Sequence, residues 1–251
     1  VRLNPQRAGG DYNITVSDHG PKFLSSSRLY HVTFGDVWFC SGQSNMALET
    51  FYTFSAETLQ KQMQDSEFGD VRHFMMGSMD DHYEATTPQW VSTQNSIRAN
   101  PTFTWHRASI SSVEALFDNM TGKHSAFAHF GATCMYFGAE INSAMKKAGL
   151  DPVPIGLIQS AIGGSQIESW MSNETLKSCT NESLSGGSIP NNSGALFYGM
   201  VAPFANYSVR GWLWYQGENN AYGDPGTSLT NEGYGCELPA MVKLWREVWD
   251  A

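Results

Sequence analysis

A short apolar run that ends at a glycine turn is the feature that most restricts how this chain folds. Residues 37–40 predict a buried strand, and Ser41-Gly42 predicts a turn after which a helix can begin. Ser44 therefore lies at the carboxyl end of a strand, where open α/β sheets place ligands, and beside helix N–H groups that favour negative charge. The turn alone has a simpler interpretation, in which Ser44 or Asn45 only caps the helix.

Two later segments repeat this pattern of a strand followed by a polar, glycine-containing turn. Residues 154–170 have the sequence PIGLIQSAIGGSQIESW, and residues 211–220 have the sequence GWLWYQGENN. Strands that alternate with helices predict an α/β fold with a parallel sheet covered on both faces. The remaining pattern predicts strands at 71–76, 155–161 and 209–215, helices at 46–63, 125–148 and 238–249, and loops at 77–121 and 178–194.

The first 33 residues have a different pattern. Residues 11–16 and 28–33 alternate apolar and polar side chains as strands do, and residues 18–21 form a turn signal between them. We interpret residues 1–33 as the remainder of a β-rich module that precedes the α/β unit.

The charge balance argues against two kinds of partner. The net charge is −9, charged residues make up 16% of the chain, and no lysine- or arginine-rich run is present. This balance disfavours binding to nucleic acid or to an anionic membrane surface. No apolar stretch reaches the ~18 residues that a membrane span requires. The first residue is not methionine, so we expect that residues upstream are missing.

Glycosylation sequons suggest the compartment. Six asparagines begin an Asn-x-Ser/Thr sequon without proline, and together with the low charge content they favour a secreted or lysosomal protein. They are Asn13, Asn119, Asn173, Asn181, Asn191 and Asn206.

The four cysteines are widely spaced, which argues against a zinc site. Cys40 ends a predicted strand and Cys134 lies in a predicted apolar helix, so we expect both to be buried thiols. Cys179 and Cys236 lie in loop-like sequence and are the better candidates for a disulfide.

Three blocks together resemble the SGNH/GDSL hydrolase superfamily and, within it, the sialate O-acetylesterases. The blocks are residues 34–46, 154–170 and 214–219, in the family's order, and residues 238–240 and 245–247 also match. The resemblance implies a three-layer, flavodoxin-like hydrolase domain with a parallel sheet over residues 34–251. It implies hydrolysis of O-acetyl esters of sialic acids through a serine nucleophile and an acyl-enzyme, without a metal or an organic cofactor.

The resemblance also assigns the site. Ser44 corresponds to the nucleophile, because Ser41 precedes the turn glycine and Ser165 lies in the wrong block. The oxyanion hole would combine the Ser44 N–H with the N–H of Gly164, or alternatively Gly163, and with the side-chain amide of Gln216. Asn219 is a second amide in the third block and leaves the last assignment open.

The catalytic base is missing from the expected place. The superfamily has a late Asp-x-x-His, whereas all seven histidines of this chain precede the second block. Asp70 and His73 have the right spacing, but we interpret them as a turn residue and a strand residue. We therefore expect the hydrolase domain to be C-terminally incomplete, with its base in downstream sequence or on a second chain. An acetylxylan-type esterase and an inactive sugar-binding fragment are the alternatives.

Overall fold

The computed structural model describes residues 3–18, 25–65, 67, 70–76, 105–107, 130–179, 194–221 and 231–250. Its strands are β1 (Gly9–Ser17), β2 (Ser26–Phe34), β3 (Asp36–Gly42), β4 (Val71–Met75), β5 (His106–Arg107), β6 (Ile155–Ala161) and β7 (Gly211–Tyr215). Its α-helices are α1 (Ser44–Ala47), α2 (Ala56–Gln64), α3 (Ala132–Lys147), α4 (Asn173–Lys177), α5 (Glu218–Ala221) and α6 (Asn231–Asp250). Shorter turns of helix occupy Thr50–Tyr52, Ile167–Trp170, Phe197–Val201 and Ala202–Phe204.

The central sheet has the strand order β5-β4-β6-β3-β7. Strands β4, β6, β3 and β7 are parallel, and the two-residue β5 pairs with β4 in the antiparallel direction. The carboxyl ends of β6, β3 and β7 therefore lie at one edge of the sheet.

Each face of the sheet carries its own apolar core, because alternate side chains of a strand point to opposite faces. Cys40 packs with α2 and α3 on one face, whereas Phe39 packs against Trp245 of α6 on the other. Helices thus cover both faces, which confirms the predicted α/β class with a parallel sheet. Among the described residues, no helix is both long and apolar enough to span a membrane.

The N-terminal strands form a separate antiparallel hairpin. The predicted strands at 11–16 and 28–33 fall within β1 and β2. Most side chains of the hairpin are exposed, and His31 pairs with Asp11 at 3.2 Å across it. The division into a β-rich module and a hydrolase domain stays a prediction.

One prediction about the cysteines is confirmed and one is wrong. Cys179 and Cys236 form a disulfide, although Cys236 lies within α6 rather than in a loop. Cys40 and Cys134 are both fully buried, as expected, but they are bonded to each other and are not thiols. Helix α3 packs across β3 and brings together two residues that are 94 positions apart, a proximity that local sequence does not encode.

The first predicted helix is interrupted, and the other two have different bounds. The 46–63 region divides into α1, a single turn and α2, because residues 48–50 pair with residues 130–132. The same pairing precedes α3, which begins at Ala132 instead of residue 125; residues 125–129 lie outside the described part. The last helix is longer than the predicted 238–249 and begins at Asn231. Most of the predicted loops at 77–121 and 178–194 also lie outside the described residues.

Candidate active site

The three sequence blocks meet where the parallel strands end. Gly42, the last residue of β3, pairs with Ala161 of β6 on one side and with Tyr215 of β7 on the other. The turns that follow these three strands are therefore neighbours at the carboxyl edge of the sheet.

Gly42 allows the first and third blocks to approach closely. Its φ angle is +141°, and a Cβ atom at this position would lie 2.1 Å from the carbonyl oxygen of Tyr215. The chain turns here so that the N–H of Gln43 donates to that same oxygen at 3.0 Å. Only glycine provides both the conformation and the space.

Ser44 is the first residue of α1, and its side chain is exposed at the edge where the turns meet. The other two candidate serines are buried. The hydroxyl of Ser165 donates to the Ile162 carbonyl at 2.8 Å and accepts from the Trp170 indole at 2.9 Å. The hydroxyl of Ser41 is buried and has no hydrogen-bond partner among the described residues. Of the three serines, Ser44 is the one whose hydroxyl is accessible to a substrate.

Gln43 connects the nucleophile turn to the third block. Its side chain is 4% exposed, and its Oε1 accepts hydrogen bonds from Gln216 Nε2 at 3.1 Å and from the Asn219 N–H at 3.2 Å. The Asn45 side chain makes a parallel connection by donating to Glu218. Residues on both sides of Ser44 thus hold the turn that follows β7.

Gln216 is committed to internal hydrogen bonds. Its Nε2 lies within hydrogen-bond distance of three acceptors: Gln43 Oε1 at 3.1 Å, the Ser165 carbonyl at 3.0 Å and Asn220 Oδ1 at 2.7 Å. A side-chain amide carries two hydrogens. These acceptors can therefore engage both hydrogens, and neither is left for a substrate oxygen in this arrangement.

The side-chain amide of Asn219 has a hydrogen that is available to a substrate. Its half-buried side chain donates to the Gly164 carbonyl at 2.6 Å, which leaves one Nδ2 hydrogen available. Gly164 has a φ angle of +70°, and no heavy atom lies within 4 Å of the position of a Cβ. Gly163 precedes it in the same turn. The second and third blocks thus place a glycine turn and a spare amide hydrogen together.

Sequence analysis missed a buried acidic pair behind these turns. Glu168 is 1% exposed, and its Oε2 accepts from Asn220 Nδ2 at 2.9 Å, whereas Glu237 of α6 is fully buried. Burial, with a smaller effect from the negative charge of Glu168, raises the pKa of Glu237 to about 8. The position of Glu168 within the second block is the one sequence signal by which it could have been found.

The described histidines do not supply a base beside Ser44. His73 of β4 pairs with Leu157 of β6, and Leu157 pairs with Trp38 of β3. His73 is therefore level with a position four residues before Gly42, the end of β3. That offset is roughly 13 Å along the strands, and the ring is buried against Phe130. His31 lies on the N-terminal hairpin. The interpretation of His73 as a strand residue is confirmed, because it lies within β4. Asp70 lies in the bend before β4, as expected, and pairs with Arg72 at 3.0 Å.

Other predicted features are placed as follows. Asn13, Asn173 and Asn206 are exposed, as glycan attachment requires, and the other three sequons lie outside the described residues. Within the described part of the chain, no three His, Cys, Asp or Glu side chains are grouped as a metal site.

The α/β fold, with its parallel sheet covered on both faces, is an SGNH-like fold. Residues 34–247 match the family described as carbohydrate esterase, sialic acid-specific acetylesterase, and the chain belongs to this family.

Named relatives agree with the family. The chain is 28% identical over 256 residues to the sialate O-acetylesterase of Homo sapiens and 26% identical over 281 residues to that of Mus musculus. Each match covers 99% of this chain, but 42% of the human and 46% of the mouse protein. The crystal structure of a carbohydrate acetylesterase from Xanthomonas citri superposes with a TM-score of 0.67 at 25% identity, over 100% of this chain and 46% of that one. The chain thus spans less than half the length of these relatives.

Proposed function

We propose that this chain carries the nucleophile and oxyanion hole of a sialate O-acetylesterase. The observation that carries the proposal is the exposed Ser44 at the point where the turns after β3, β6 and β7 meet. Family membership supports acetyl esters of sialic acid hydroxyls as the substrate.

The proposed reaction is acyl transfer in two steps. Ser44 Oγ attacks the acetyl carbonyl carbon while a base takes the hydroxyl proton, and the sugar oxygen leaves with a proton. Water then attacks the acetyl-serine, which releases acetate and restores the hydroxyl. Since the described histidines lie elsewhere, we propose that the base comes from outside the described residues.

The test measures acetate release from 9-O-acetylated sialic acid and from acetylated xylo-oligosaccharide by the full-length polypeptide that contains this sequence. We expect faster release from the sialic acid, and release that is at least about 10⁴-fold slower when Ser44 is alanine. Preference for the xylo-oligosaccharide would instead support an acetylxylan-type esterase. Sugar binding without turnover would support the inactive alternative.

We infer that Asn219 Nδ2, with the N–H groups of Ser44 and Gly164 or Gly163, is a better candidate for the oxyanion hole than Gln216. Removal of one such donor typically lowers kcat by about 10²–10³-fold. We expect that loss, with little change in the urea midpoint, for Asn219→Ala. Gln216→Ala should lower the urea midpoint. It removes one hydrogen-bond donor from Gln43 Oε1 and one from Asn220 Oδ1. A large kcat loss at unchanged stability in Gln216→Ala alone would restore the original assignment.

We also propose that the protein is a glycoprotein of the secretory pathway, either secreted or lysosomal. The exposure of Asn13, Asn173 and Asn206 and the two disulfides support this proposal. N-glycosidase treatment of protein from its native source should lower its apparent mass. An unchanged mass and a cytosolic location would contradict it.

A further inference from the structure

A chain of hydrogen bonds, buried at Glu168 and partly buried at Gln216, runs from Glu168 to the nucleophile turn. Glu168 accepts from Asn220 Nδ2 at 2.9 Å, and Asn220 Oδ1 accepts from Gln216 Nε2 at 2.7 Å. Gln216 Nε2 in turn lies 3.1 Å from Oε1 of Gln43, the residue before Ser44. Glu168 and Asn220 are 1% and 4% exposed, so water does not readily replace these bonds.

Helix α6, which carries Glu237, packs against the short helical turn that carries Glu168. The Glu237 side chain is fully buried, and neither carboxyl oxygen has a hydrogen-bond partner among the described residues. One turn earlier on the same helix, the Tyr234 hydroxyl donates to the Gln216 carbonyl at 3.0 Å. The Cys179–Cys236 disulfide fixes the residue before Glu237. Helix α6 thus holds the third block through Tyr234 and is itself fixed to Cys179 by the disulfide.

The charged groups around Glu237 favour its neutral form. The short helical turn at residues 167–170, α4 and α5 pack against α6. They contribute Glu168, the exposed Glu174 and Lys177 of α4, and Glu218, while Tyr234 lies on α6 itself. Of these groups, Glu168 acts on the Glu237 carboxyl, and its charge adds to the effect of burial. A second ionised carboxylate beside Glu168 would be buried and repelled.

We propose that Glu237 is a positioning residue, whose neutral acid form allows Glu168 and Asn220 to hold the turn of residues 216–220 beside Ser44. The proposal deepens the proposed esterase function and rests on it. When Glu237 ionises, its charge and that of Glu168 repel each other, and separation of α6 from the turn relieves the repulsion. Ionisation of Glu237 at alkaline pH would therefore increase the fraction of molecules in which the third block is open.

The direction of the pH effect follows from linkage. The folded-state pKa of about 8 exceeds the ordinary value of 4.5, so the folded protein retains a proton that an opened or unfolded form releases. The contribution of Glu237 to the stability of the closed form is complete below about pH 4.5. It decreases as the pH rises and is lost above about pH 8. One proton released on opening changes the opening equilibrium by up to about tenfold per pH unit within that window.

The experiment measures amide hydrogen exchange of residues 216–221 in the full-length polypeptide between pH 5 and 9, corrected for the intrinsic pH dependence of exchange. In the wild type we expect opening to increase by up to about tenfold per pH unit and to level off near pH 8. Glu237→Gln, which mimics the neutral acid, should remove this extra slope. Glu168→Gln should move the plateau to lower pH. Glu247→Gln, an exposed change on the same helix, should behave as the wild type.

The same samples report on Ser44. The rate of fluorophosphonate labelling at Ser44 in Glu237→Gln, divided by the wild-type rate, should rise with pH and level off near pH 8. Equal exchange slopes in the wild type and in Glu237→Gln would overturn the positioning role, as would a plateau unmoved by Glu168→Gln. Absence of Ser44 labelling in every variant would instead overturn the proposed function, while the exchange slopes still decide whether Glu237 holds the turn.

Discussion

In the full-length polypeptide, replacement of Ser44 by alanine should lower kcat/KM for an acetyl ester by at least about 10⁴-fold. This loss corresponds to about 5 kcal/mol of transition-state stabilisation. The reason is that no acetyl-serine can form, and only the oxyanion donors and substrate binding remain to accelerate the reaction. The side chain of Ser44 is exposed, and no side-chain capping bond is made at the start of α1. The free energy of unfolding should therefore change by less than about 0.5 kcal/mol.

Ser41→Ala is the matched control. It removes the same hydroxyl three residues earlier, from a side chain that is fully buried and whose oxygen has no hydrogen-bond partner among the described residues. A buried hydroxyl without a partner costs about 1–3 kcal/mol. Ser41→Ala should therefore retain activity and be as stable as the wild type or more so. Comparable turnover by Ser44→Ala and the wild type, at equal urea midpoints, would eliminate Ser44 as the nucleophile.

The site edge could be predicted from local sequence because each block carries its own pattern. An apolar run followed by a glycine turn sufficed to identify β3 and β6, and the run ending at Gln216-Gly217 identified β7. The family resemblance, and not the strand pattern, implied that Ser44 and Gly164 share one site. The register of β3 with β6 and β7 brings the turns after these strands to one edge, and the roles of the two residues stay a prediction.

The features that local sequence could not predict depend on contacts between distant segments. The interruption of the first helix comes from pairing of residues 48–50 with residues 130–132, and the Cys40–Cys134 bond comes from helix α3 lying across β3. Glu168 and Glu237 show the same limit. A glutamate in a helical pattern ordinarily predicts solvent exposure. Both side chains are buried here, where the turn at residues 167–170 and α5 pack against α6. The internal bonds of Gln216 are likewise visible only when all three blocks are assembled.

Among substitutions that add one methyl group at the carboxyl edge of the sheet, Gly42→Ala should lower the free energy of unfolding most. The new Cβ would lie 2.1 Å from the Tyr215 carbonyl oxygen and 2.7 Å from its carbon, and both are backbone atoms of β7 that cannot rotate away. The φ angle of +141° adds conformational strain for any residue with a Cβ. Relief of the clash requires β7 to move away from β3, which breaks the bond from the Gln43 N–H to Tyr215. We expect a loss of more than about 4 kcal/mol in the free energy of unfolding, measured by urea denaturation.

Gly149→Ala is a control in which alanine is placed at a positive φ angle without a steric contact. Gly149 follows α3 with a φ angle of +70°, and no heavy atom lies within 4 Å of the position of its Cβ. Alanine there should cost about 1 kcal/mol, the strain of a left-handed conformation alone. The difference between the two variants then contains the contact between β3 and β7 and the additional strain of a φ angle of +141° over one of +70°. If Gly42→Ala cost no more than Gly149→Ala, the first and third blocks would have room to separate without loss of the fold. Gln43 could then not hold the third block beside Ser44 in the way that its hydrogen bonds to Gln216 and Asn219 imply.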